Sequence, residues 1–187
     1  ELILELVENN TESLKTECSR FFTCFPQGTC ITPDDVDKIL TNTRGETAFT
    51  LFAAMVDKNQ SQTKRLENSL LILQKIRLSK ESSSVMLIAG LTFFFCLLFT
   101  YHKLCSTGTP DEFTLKKAGI STSSMRTQYS NAARIWSSGQ TMAILSLLAS
   151  TDMNIRSSGT ALEDFYLQTL LYSIVVKKGV GIQTYIE

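Results

Sequence analysis

Apolar positions recur along this chain at intervals of three and four residues. Phe49, Phe52, Ala53 and Val56 form one such series, Leu66, Leu70 and Leu73 a second, and Met125, Tyr129, Ala132 and Trp136 a third. That spacing puts each set on one stripe of an α-helix. No stretch alternates with period two between hairpin turns, so strands are not expected. Helix punctuation agrees. Thr32-Pro33-Asp34-Asp35 and Thr109-Pro110-Asp111-Glu112 each set a hydroxyl at N-cap, proline at the first helical position and carboxylates at the positive end of the helix dipole. Thr160-Ala161-Leu162-Glu163 reads as a capping box, and Lys177-Lys178-Gly179 as a basic last turn closed by a glycine. The predicted helices cover 2–24, 33–42, 46–58, 61–80, 84–104, 110–118, 122–137, 141–150, 160–178 and 181–187. Short connections between them suit an all-α fold, a multi-helix orthogonal bundle around a central apolar helix at about 84–104.

That central segment has two uses open to it. Val85 to Tyr101 carries no charge, and about 17–25 such residues span a bilayer. As a span it would keep residues 1–81 in the cytoplasm, because Lys75, Arg77 and Lys80 outnumber Lys103 on the far side. As a soluble helix it would be apolar all round because other helices surround it. Neighbouring amphipathic segments need a surface to bury against, and no tryptophan anchors either end. Burial in a core is therefore the expectation, with a single-pass membrane protein as the alternative.

Composition narrows the classes further. With 43% hydrophobic and 19% charged residues, the 187-residue chain is expected to fold as one helical domain over 1–187. Glu at position 1 in place of Met suggests a fragment or a processed chain. His102 is the single histidine, which rules out zinc sites and catalytic helices that need several imidazoles. It ends a long apolar run, where a surface or capping role is ordinary. No phosphate-binding glycine loop, nucleophile elbow or calcium loop is present. Enzymatic activity, a metal site and a cofactor are not expected. Five cysteines, with five residues separating Cys18, Cys24 and Cys30, fit reduced and mostly buried thiols in a reducing compartment better than a disulfide framework. The Asn9 and Asn59 sequons matter only in a secreted protein.

Equal numbers of acids and bases, 18 each, hide a segregation. Residues 1–57 carry ten acids and four bases, whereas 58–134 carry eleven bases and four acids. A basic block either binds a polyanion or pairs within the molecule. If it binds, folding would gather Lys64, Arg65, Lys75, Arg77 and Lys80 with Lys116, Lys117, Arg126 and Arg134 on one wall for the phosphates of single-stranded RNA. Ser121-Thr122-Ser123-Ser124 and Thr127 could add hydrogen bonds to phosphate, and Tyr101 or Tyr129 could stack on bases. Trp136 and Tyr129 share the Met125 stripe and fit a core better than a stacking platform. Phe21, Phe22 and Phe25 before Pro26 are either a docking face for a partner helix or a helix end turned into the core.

Trp136-Ser137-Ser138-Gly139-Gln140, Leu145-Ser146-Leu147-Leu148, Thr151-Asp152, Gly159, Asp164 and Tyr172 occur in an order that resembles bornavirus nucleoproteins and their endogenous copies in animal genomes. The resemblance implies an all-α nucleoprotein lobe, the N-terminal one of two. Such a lobe self-associates into an oligomer and helps to sheathe single-stranded RNA in a basic cleft, in the nucleus, cytoplasm or virion. The expected function is thus a non-enzymatic structural RNA-binding protein, with a membrane protein or a helical protein-interaction module as alternatives.

Overall fold

The helices begin at side chains that answer their own first-turn N–H groups. Ser83 Oγ accepts from the Met86 N–H at 3.2 Å, Asp111 Oδ1 from Thr114 at 2.9 Å and Thr122 Oγ1 from Met125 at 3.1 Å. The computed structural model describes residues 11–32, 35–36, 46–79, 83–158 and 160–180. Its regular elements are α1 (Thr11–Cys24), α2 (Ala48–Met55), α3 (Gln62–Ser79), α4 (Ser84–Ser106), α5 (Glu112–Lys117), α6 (Ser123–Ile135), α7 (Ser138–Ser158), a 3-10 turn (Thr160–Leu162) and α8 (Glu163–Val175). The described residues contain no strand, and the fold is an all-α bundle with an apolar helix at its centre.

Several boundaries differ from the sequence expectation, each for a local reason. α5 starts after Asp111, not after Thr109, because the Asp111 carboxylate takes the capping hydrogen bond two residues later. Thr160–Leu162 form a 3-10 turn, so Leu162 is the residue that precedes α8, and Glu163 makes an ion pair with Arg77. α7 runs well past 150, since Ser146, Ser150 and Thr151 turn their hydroxyls back onto carbonyls four residues earlier and Asp152 pairs with Arg156 one turn on. Thr32 and Asp35 do form a reciprocal cap, with bonds of 3.1 and 3.3 Å. Most of the expected 33–42 helix, and all of 181–187, lie outside the described residues.

α4 packs along α7 and also against α2 and α6, while α3 joins α2 to α8. Its inward face buries Leu87, Ile88, Leu91, Phe94, Phe95 and Leu98. Phe52 of α2 meets Phe94, Phe95 and Tyr129 with ring centroids 5.3, 5.4 and 5.7 Å apart. Gly90 allows this approach, since a Cβ there would sit 2.6 Å from the Ala48 Cβ. Trp136 is fully buried, donates from Nε1 to the Ile174 carbonyl at 3.1 Å, and its own carbonyl lies 3.0 Å from His102 Nε2. Three helices are tied at that point. Gly179 follows α8 with φ of 94°, and a Cβ on it would strike the Gln140 carbonyl at 2.9 Å.

Enclosure of α4 is one-sided. Met86 and Phe93 are about half exposed, and Ala89 and Cys96 continue the same outer stripe. Among the described residues α4 alone is long and apolar enough to cross a membrane, and 44% of its most apolar stretch is buried in the bundle. The cysteines are free, as expected, but not mostly buried: Cys24, Cys30, Cys96 and Cys105 are exposed, because they fall on the outer face of α4 or at and beyond the end of α1. Phe21 is buried and stacks on Phe25 at 6.4 Å, whereas Phe22 points to solvent.

Candidate functional site

The nine bases expected to form one wall have separate environments. Lys64 pairs with Glu67 at 3.0 Å, Lys75 with Glu46 at 2.9 Å, and Lys116 with Glu112 at 3.0 Å. Arg126 Nη1 lies 3.0 Å from the same Glu112 oxygen, an ion-pair distance without hydrogen-bond alignment. Lys116, and after it Arg126, hold the Glu112 carboxyl below the usual carboxylate range. Arg77 is the most engaged. It contacts Asp164 at 2.7 Å, Glu163 at 3.0 Å and the Ser84 hydroxyl at 2.7 Å, joining the end of α3 to the starts of α4 and α8. Arg65 is half-buried, with its Nη1 on the Gln60 carbonyl at 3.5 Å. Lys117 and Arg134 are exposed and meet no carboxylate among the described residues. Lys80 lies outside them. Tyr129 is fully buried, so it cannot stack on a base, and desolvation raises its hydroxyl pKa.

One depression of about 1030 Å³ opens between α3 and α6, with α2 as its floor. The helical period builds each wall. Asn68, Leu71, Ile72 and Lys75 on α3 sit at i, i+3, i+4 and i+7, and so do Ser124, Thr127, Gln128 and Asn131 on α6. Phe49, Ala53 and Val56 line the α2 side. Met125, Tyr129 and Ala132 occupy the adjoining face of α6 and anchor it to the core. The groove's polar character is largely neutral. Its lining charges are Lys75 and Glu46, which pair, and Asp57, which accepts from the Asn59 N–H at 2.9 Å.

Of the bases expected to bind RNA, only Lys75 lines this groove, together with the expected hydroxyls of Ser123, Ser124 and Thr127. The carboxamides Asn68, Gln128 and Asn131 were not anticipated. For Gln128 and Asn131 the signal lay in the sequence, an uncharged polar series at helical spacing directly beside the apolar stripe of α6, whereas Asn68 stands alone among Leu71, Ile72 and Lys75. Among the described residues no three His, Cys, Asp or Glu side chains come together as a metal site.

An uncharacterized protein of Treponema pallidum (strain Nichols) is similar to this chain, 47% identical over 55 residues, which are 29% of this chain and 72% of that protein. No family model matches the sequence. No solved structure matches it either.

Proposed function

We propose, for a chain that belongs to one family with the uncharacterized Treponema pallidum protein, that it is a non-enzymatic helical interaction module whose groove between α3 and α6 receives a polypeptide segment of a partner. The groove's lining carries the proposal: apolar side chains of α2 and α3 face a wall of neutral hydrogen-bonding side chains on α6. Such a surface offers a polypeptide both area to bury and groups to pair with. His102 supports a non-enzymatic role, since its Nε2 faces the Trp136 carbonyl and not a hydroxyl or thiol that it could activate. Six apolar side chains of α4 are already covered within the bundle, which favours the module over a membrane span.

The test is selection of displayed random decapeptides against the full chain, followed by chemical-shift mapping on labelled protein. Shifts confined to the groove around Asn68, Lys75, Ser124 and Asn131 are expected. Shifts elsewhere, or no enriched peptide, would remove the module.

Single-stranded RNA remains the second candidate ligand, in line with the bornavirus-like order of residues in 136–187. Lys117 and Arg134 support it, as exposed cations without a carboxylate among the described residues. Reversing both to Glu should then weaken RNA binding in a salt-titrated assay. Unchanged affinity would discard the RNA proposal.

A further inference from the structure

The outer face of α4 has a spacing that burial of its inner face does not explain. Met86, Ala89, Phe93 and Cys96 follow one another at intervals of three, four and three residues. All four are exposed, Met86 to 50% and Phe93 to 47%. That is the a/d repeat of a seam between two helices, with a period of about 3.5 residues. Half-buried Val85, Gly90, Thr92, Leu97 and Phe99 flank the seam, and no charge falls between 85 and 101.

Side-chain size alternates along this seam, since Met86 and Phe93 are large while Ala89 and Cys96 are small. A parallel copy in register would set large on large. An antiparallel copy, related by a two-fold axis level with Leu91, sets Phe93 against Ala89 and Met86 against Cys96, and the reverse pairs follow by symmetry. The stripe is thus complementary to itself, which is what an isologous contact between two copies requires. Antiparallel helix dipoles also attract. No like charges meet within the paired stretch, and Lys103, its Nζ 4.7 Å from the Phe99 ring centroid, falls beyond it. A lipid surface makes no use of such alternation and is gripped by several basic residues around an apolar face, whereas α4 carries one, Lys103. We propose that the outer face of α4 is a self-association surface, on which a second copy of this chain packs its own α4 antiparallel, with Phe93 over Ala89. Four such layers bury roughly 1,000 Å² in total, at the low end of specific interfaces, so the dimer is weak and reversible. No residue of α4 lines the groove between α3 and α6, so this surface goes beyond the interaction module and is tested apart from it.

Sedimentation velocity of the full chain in reducing buffer, from about 5 to 500 µM, should show a monomer–dimer equilibrium. Ala89→Phe sets a large side chain against Phe93 and should weaken association about tenfold or more, and Phe93→Ala should do the same by emptying that layer. The double variant exchanges large and small in both central layers and should return to within about threefold of wild type. Met86→Cys, treated with oxidised glutathione, should give an intermolecular disulfide to Cys96, read by peptide mass. A dominant Cys96–Cys96 disulfide would mean parallel pairing and overturn the antiparallel contact, in which the two Cys96 residues stand about 15 Å apart along the helix. A monomer at every concentration, single variants that associate like wild type, or a double variant as weak as the two single losses combined would overturn the proposal. Flotation of the monomer with phosphatidylcholine vesicles would assign the stripe to lipid and overturn it as well.

Discussion

At the scale of single residues, the charged side chains are mostly committed to local work. Asp111 shows this through its titration. Hydrogen bonds from Thr114, first from its hydroxyl and then from its backbone, hold the Asp111 carboxyl below its ordinary value. A depressed folded-state pKa contributes stability that is complete above the unfolded value, about pH 4, and is lost as pH falls through the folded value. Asp111→Asn keeps an oxygen for the cap but cannot titrate. Its urea midpoint should therefore fall less than the wild type's as the pH drops below about 4. An identical acid limb in both proteins would show that the cap carries no pH linkage. Arg77 makes the same point across elements. Arg77→Met would leave Glu163, whose side chain is 17% exposed, without its cation. The expected loss is about 1–3 kcal/mol, between the surface and buried limits. Denaturant midpoints within error of wild type would contradict it.

At the scale of elements, the outcome turns on how closely helices approach. Helical segments were legible from apolar spacing and caps: α3 and α6 fall within a residue or two of their expected bounds at 61–80 and 122–137. α7 extends on both sides of its expected 141–150, and within it Ser146 and Ser150 return their hydroxyls to the backbone. The contact between α2 and α4 could not be read from either segment alone. Gly90→Ala gains helix propensity of up to about 1 kcal/mol but forces its Cβ to 2.6 Å from the Ala48 Cβ. Overpacking of this kind costs about 1–3 kcal/mol, so the substitution should destabilise on balance. Ala48→Gly in the same chain should restore part of the loss, as a double-mutant cycle would reveal. A more stable Gly90→Ala protein would mean that the two helices slide apart freely.

For the whole molecule, pairing has largely consumed the basic block. Five of the nine candidate bases, Lys64, Lys75, Arg77, Lys116 and Arg126, face carboxylates within the bundle. Any single-strand RNA binding should therefore show a shallow salt dependence. Two engaged cations give a log–log slope of about −1.4, whereas nine would give about −6. A steep slope would mean that the ion pairs open to let RNA in. The groove is likewise a whole-molecule feature, made from a mixed stripe on α3 and a polar stripe on α6 that lie far apart in the chain.

The amino-acid order alone determined that the chain is helical, where most helices lie and that 84–104 is the apolar centre, because backbone hydrogen bonding and side-chain periodicity are settled within four residues. Tertiary packing alone decided which face of α4 is covered, where Arg77 finds Glu163 and Asp164, and that Asn68 faces Gln128 and Asn131 across one groove. Those relations depend on crossing helices that bring distant residues within a few ångströms, a distance no local pattern encodes.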